Sequence, residues 1–438
     1  MDDAEELAAQ VRDCYERTLD LVADLDDRQM VGPMLPTVNP VIWEIGHLAW
    51  FQEKFVLRQA CGEAPINSFG DSIWDSAAIP HDTRWRLQLP SRQETVAYVI
   101  EVGERVAERV LGAGATDVLA HLARYSVFHY DMHTEALTYT RQTLGYPAPS
   151  LRGLASPAPG PPDEHDGGGA VSGDVRLPGG TLLLGALRAD PFVIDNEKWA
   201  HPVEVAPFAI ARTVVTQEEF AAFVDDGGYT HPGLWAGGWE WREKAGAEHP
   251  TYWRRSPGGW ERRDFDRWMP LEPHRPVSHV SYHEATAFCS WAGRRLPTEA
   301  EWELAASAES PATPVTVSTP RRVQPWGVAP VAPPRANVDW WLMGAVDVSA
   351  LADGDSPAGC RQMAGNVWEW TSSTFDAYPN FERDAYQENS EPWFGSRKVL
   401  RGGGWATRGR VLRNTLRNYF TPDRRDVVAG FRTAAPEG

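Results

Sequence analysis

At 438 residues with 42% hydrophobic content, the chain has an ordinary globular composition but is long for one core, so two domains are expected. Its net charge of −18 argues against nucleic acid as a partner, because gripping phosphates takes a basic face. Four cysteines without a CxxC (Cys14, Cys61, Cys289, Cys360), an acidic start that is no signal peptide and the lack of a span-length apolar run predict a reduced, soluble, cytoplasmic protein without disulfide framework, zinc knuckle or membrane segment.

Residues 3–26 carry Leu7, Val11, Tyr15, Leu19, Val22 and Leu25 at three- and four-residue intervals, the spacing of an amphipathic helix. Asn39 as cap and Pro40 as first residue open a second helix, running through Trp43, His47, Trp50 and Phe51 to about residue 60. His47 lies on its apolar stripe, where it suits the core as well as a ligand set. Residues 62–91 look irregular and hold Arg84-Trp85-Arg86, and Ser91 is placed to cap the next helix. Helices are expected at about 92–112 and 115–144, the last stopping at Gly145-Tyr-Pro147. Four helices in this length make a bundle.

The final helix holds His129-Tyr-Asp-Met-His-Thr-Glu135. His129 and His133 fall on one face, one turn apart, which is how a helix offers two imidazoles to one metal ion. A satisfied pair in the core would show the same spacing. Glu135 lies roughly 200° round from His133, so it belongs to the packing or behind the ligands rather than on the metal. Bundle cores host metal sites built from facing helices, which makes His47 the third candidate ligand. Three neutral histidines suit Zn, Cu, Ni or Fe(II), and open positions beside them serve hydrolysis or O2 chemistry alike.

Residues 148–180, rich in Pro and Gly and containing His165, read as a linker between domains at 1–147 and 181–438. Beyond it, strand-like pieces at 181–184 and 203–210 alternate with loops rich in Gly, Pro and Trp. The chain holds 20 Trp in all, too many for a plain bundle. Short helices are expected at about 216–225, capped by Thr216, and at 283–292. A third starts at the capping box Thr298–Glu301 and runs to about Ser307. Residues 308–350 read as loop. The fold class is α+β, a four-helix bundle followed by a loop-rich α+β domain.

Four stretches of the second domain, RRLPTEAEWE (294–303), MAGNVWEWTSS (363–373), VLRGGGWAT (399–407) and RNYFTPDRRDVVAGFR (417–432), stand in order after the bundle motifs. Together they resemble the ergothioneine-pathway sulfoxide synthases, which join a DinB-like bundle to a lectin-like domain similar to formylglycine-generating enzymes. The resemblance implies Fe(II) held by His47, His129 and His133, and O2 as co-substrate. The implied reaction couples a thiol to the imidazole C2 of hercynine and leaves a sulfoxide. By a looser match, AYQENSEPWF (385–394), it also implies that Tyr386 supplies a proton or electron.

Two departures bear on the substrate. The family's helix motif usually has two Gln between its ligands, one of them contacting hercynine, where this chain has Asp131 and Met132. Its substrate loop typically reads Arg-Asn-Trp-Asp, and the Asp holds the donor's amino group. Here it reads Arg417-Asn-Tyr-Phe420. The patterns HxDMHxEAxxYTRQTLxYPxP and NPxxWExGHxAWFQE resemble instead the selenoneine synthase branch, which joins hercynine to a selenosugar through a C–Se bond. Candidate substrate contacts are then Asn418, Tyr419, Arg424 and Arg425, with Tyr419 and Trp rings caging the trimethylammonium group and Arg84 or Arg86 holding the hercynine carboxylate. Each of these also fits a structural role. Cys289 and Cys360 do not take the paired positions of the formylglycine-generating enzymes. A zinc-dependent thiol transferase and a non-enzymatic carbohydrate-binding module are the competing classes.

Overall fold

A computed structural model describes residues 3–112, 116–154 and 171–436. The chain forms two compact units, Met1–Ser156 and Pro157–Gly438. Residues 155–170, the middle of the stretch read as a linker and the site of His165, lie outside the described residues.

In the first unit, helix α1 (Asp3–Asp20) is followed by the short α2 (Asp27–Val31), α3 (Val41–Gln52), the short α4 (Gly70–Ile73), α5 (Arg92–Leu111) and α6 (Asp117–Leu144). The four long helices pack as a bundle, with α1 and α3 each lying against α5 and α6. α1 stops at Asp20, short of the expected residue 26, and Asp26 instead caps α2. Ser91 caps α5 in a capping box closed by Glu94, and Gly145 in the left-handed conformation ends α6.

Asn39 does not cap α3. Pro40 takes that place without a side-chain hydrogen bond, and the Asn39 amide donates to Glu44 instead, at 2.6 Å. Nearly every residue of α3 is buried, so its sequence reads as apolar around the whole circumference. It continues into a π-helical segment, Glu53–Ala60, a wider turn often found beside functional sites. The irregular stretch 62–91 holds α4 and a 3₁₀ turn, His81–Arg86.

The second unit begins inside the supposed linker. Strand β1 (Asp174–Leu177) pairs antiparallel with β4 (Phe208–Ala211), and β2 (Gly180–Leu184) pairs with β3 (His201–Val205). The strand expected over 203–210 is thus two, separated at Pro207, which has no N–H to offer a ladder. Helix α7 (Gln217–Asp225) starts at the Thr216 cap, and α8 (Trp239–Ala245) follows. Next come the antiparallel strands β5 (Trp253–Ser256), β6 (Gly259–Asp264) and β7 (Arg267–Pro270). Nothing in the sequence signalled this sheet, because its residues are mostly Arg, Trp, Glu and Asp and lack the alternation of a half-buried strand.

Helices α9 (Tyr282–Trp291) and α10 (Glu299–Ser307) each begin in a capping box. The remaining strands, β8 (Trp368–Thr374), β9 (Lys398–Arg401), β10 (Asn418–Phe420) and β11 (Ala429–Gly430), make one sheet in the order β10-β9-β8-β11. Trp302, Leu304, Met363, Leu182 and Ile210 share the core of this unit.

The motifs that carried the resemblance meet as buried ion pairs. Glu369 of β8 accepts from Arg432 at 2.8 and 2.9 Å and from the Trp302 indole at 2.9 Å. Glu299 and Glu303 of α10 receive Arg401 at 2.8 and 2.6 Å, and Arg417 reaches Glu299 at 2.7 Å. A buried charge is tolerated only when paired, so each motif requires the others.

Candidate metal centre

α6 presents His129 and His133 to α3, which supplies His47. The three ring centroids lie 4.4 to 5.2 Å apart. One nitrogen from each ring falls within 4.8 Å of the other two. Two of the rings are oriented from behind. His47 Nδ1 sits 2.8 Å from the Trp74 carbonyl, which only accepts, so Nδ1 bears the hydrogen and Nε2 carries the lone pair. His133 Nδ1 donates to Glu44 Oε1, again leaving Nε2 as the available nitrogen. Phe51 lies flat on His129 at 3.6 Å, and Trp43 lies flat on His47 at 5.0 Å.

Burial holds His47 and His129 neutral. It pushes His47 down to about 3 and His129 well below its ordinary value, and the nearness of the His133 ring lowers both further. For Glu44 burial acts upward, but the electrostatic pull and hydrogen bond of the His133 ring, then His47 and Asn39, outweigh it and hold the carboxylate at about 2. Two imidazoles kept neutral by burial, with a third ring hydrogen-bonded to an ionised carboxylate, are a donor set that could hold a divalent metal ion, and the Glu44–His133 contact has the form of the carboxylate support such a ligand takes. His133 is the open corner, with 22% of its side chain exposed.

The other candidates on this unit spread in several directions. Asp131 is buried toward α1, its Oδ1 3.8 Å from Cys14 Sγ, while the exposed Met132 lies next to His133 in the chain. Glu135 is buried. Arg84 is enclosed, donating to Asn39 Oδ1 at 2.7 Å and to the Ile79 carbonyl at 3.2 Å, whereas Arg86 is exposed. The sequence reading passed over Asn39, Glu44 and Trp74. Glu44 stands three residues before His47, hence on the same helical face, and that spacing was the available signal.

Residues 10–141 match the DinB superfamily, and residues 163–436 match the sulfatase-modifying factor enzyme 1-like domain family. A hercynine oxygenase of Mycolicibacterium thermoresistibile is 36% identical over 98% of this chain and 94% of its own. The chain belongs to the hercynine oxygenase family. The Mycolicibacterium smegmatis hercynine oxygenase is 33% identical over 98% of both chains. A formylglycine-generating enzyme of Streptomyces coelicolor is 32% identical over 66% of this chain and 95% of its own.

In this hercynine oxygenase family member the remaining candidates occupy the second unit. Asn418, Tyr419 and Phe420 form the edge strand β10. Tyr419 stacks on Phe375 at 3.9 Å and donates to the Asn389 carbonyl at 2.6 Å, and burial, then the neighbouring Asp195 and the half-buried Tyr386, raise its pKa. Arg424 pairs with Asp426 at 2.5 and 2.7 Å and lies 4.9 Å from the Phe420 ring centre. Arg425 reaches Glu284 at 2.9 Å and the His249 carbonyl at 2.5 Å. Cys289 and Cys360 are buried, and burial pushes their thiols up to about 12 and about 11, values that suit packing rather than redox work. Among the described residues no helix is long and apolar enough to cross a membrane.

Proposed function

We propose that the chain is a non-heme Fe(II), O2-dependent oxidoreductase that forms a bond from selenium of a selenosugar to the imidazole C2 of hercynine. Hercynine as acceptor is supported by the full-length relatives named for it, and iron by the His47–His129–His133 cluster. Breaking the C–H and Se–H bonds and forming C–Se and Se=O balances against one O2, which takes four electrons and leaves one water. When bound, Fe(II) supplies the electron transfer to O2. Around it the protein orients His47 through the Trp74 carbonyl and His133 through Glu44, and Phe51 shields His129 from water. In this reading Tyr386 delivers a proton or electron, and Arg86, exposed and near the family position, holds the hercynine carboxylate.

One observation carries the choice of donor. At the position where the family's Asp takes the donor's ammonium, Phe420 is half-buried beside the Arg424 guanidinium. A phenyl ring beside a cation is a poor site for a second cation and accepts a neutral sugar. The second reading, C–S bond formation with γ-glutamylcysteine or cysteine, keeps the same iron and hercynine chemistry. Aerobic incubation of the Fe(II)-loaded protein with hercynine and each donor in parallel, products weighed by mass spectrometry, separates them. A selenium adduct is expected. Turnover only with an amino-acid thiol would select the second reading, and absence of O2-dependent turnover with every donor would return the chain to the zinc-dependent thiol transferases.

A further inference from the structure

We infer that Arg84 is a positioning residue for the metal ligand His133, acting through Asn39 and Glu44, and is not a substrate contact. The inference rests on the three-histidine metal site proposed above. Four side chains form one directed line. Arg84 Nη1 donates to Asn39 Oδ1 at 2.7 Å, Asn39 Nδ2 donates to Glu44 Oε2 at 2.6 Å, and Glu44 Oε1 accepts from His133 Nδ1.

The order of groups explains why an amide stands in the middle. A guanidinium in direct contact with Glu44 would take both carboxylate oxygens in a bidentate pair. Asn39 relays one hydrogen bond and keeps the charges apart, so Oε1 stays with the imidazole. Its amide has no choice of orientation, since guanidinium only donates and ionised carboxylate only accepts.

Arg84 also reaches the second ligand. Its guanidinium lies 3.9 Å from the Trp43 ring centre, and Trp43 in turn lies flat on His47 at 5.0 Å. Only 9% of Arg84 is exposed, and further hydrogen bonds to the Ile79 and Ser76 carbonyls occupy it. That leaves little of its fork for a carboxylate from solution. One arginine therefore braces two of the three ligands from the side away from the ion.

Co(II) affinity and visible spectrum, measured by chelator competition on the full chain, together with hercynine KM in the Fe(II) enzyme, test this. Glu44→Gln is expected to weaken Co(II) about 10- to 100-fold, the range for losing a ligand's supporting group. Arg84→Met is expected to weaken Co(II) several-fold and to alter its spectrum, with hercynine KM unchanged. The double variant Asn39→Asp/Glu44→Gln restores the line with the charge moved one residue outward, and is expected to bind Co(II) more tightly than Glu44→Gln. Circular dichroism of each variant checks that the bundle is folded. A raised hercynine KM in Arg84→Met with unchanged Co(II) affinity would overturn the inference in favour of a substrate contact. Unchanged affinity and spectrum in all variants would reduce the line to packing. Wild-type protein that is folded but takes up no Co(II) would instead remove the metal site itself.

Discussion

His47 is enclosed by Trp43, Trp50 and Phe51, and a proton arriving on it would bring a charge into that enclosure. In the metal-free fold it stays neutral down to about 3, whereas an unfolded chain protonates it near its ordinary value of 6.5. The unfolded state therefore binds more protons below that value, and stability is lost as pH falls from 6.5 toward 3. Glu44 works in the same direction lower down, its contribution disappearing from 4.5 toward about 2 as the carboxylate protonates. Urea midpoints of the metal-free protein are expected to fall steadily below pH 6.5, and His47→Gln to flatten the upper part of that decline. An equal decline in wild type and variant would mean other groups control acid stability. Replacing a ligand outright, as in His129→Ala, is expected to cost more than the about 100-fold in metal affinity that a supporting group costs, read from iron content and from turnover.

At the scale of elements, α3 reaches its partners because Gly46 has no side chain. A Cβ there would lie 2.2 Å from Trp74 Nε1, and Trp74 also supplies the carbonyl that orients His47. Gly46→Ala is expected to destabilise the bundle by about 1–3 kcal/mol, the cost of overpacking, and to loosen the metal at the same time. Denaturant titration and Co(II) binding check the two together. A stability loss with unchanged metal affinity would show that Trp74 moves without carrying its carbonyl. α1 and α5 meet under a similar constraint, since a Cβ on Gly103 would lie 2.3 Å from Tyr15 Cδ1.

For the whole molecule the proposed function assigns the two units separate duties, with the three candidate ligand histidines and their supports in the first and the sheet bearing Asn418–Phe420 in the second. The pair Glu369–Arg432 is fully buried, so removing one partner strands a charge. Arg432→Met is expected to destabilise the second unit by about 3–5 kcal/mol, while Co(II) affinity stays at the wild-type value. Calorimetry and metal titration on the same sample decide it, and a parallel loss of metal would contradict the separation.

Periodicity and capping residues located the long helices of the bundle and the caps at Ser91, Thr216 and Thr298, and helical spacing put His129 and His133 on one face, because these are local patterns of burial and hydrogen bonding along one stretch of chain. The motif order identified the family, since buried ion pairs such as Glu369–Arg432 tie distant stretches to one another. Only the tertiary structure decided that Asn39 donates to Glu44 rather than capping α3, and that Arg84 donates to Asn39. It also turned Asp131 toward Cys14 and assembled β5–β7 from charged residues. Each of these depends on what another element places opposite the side chain, and a partner dozens of residues away leaves no mark in local spacing.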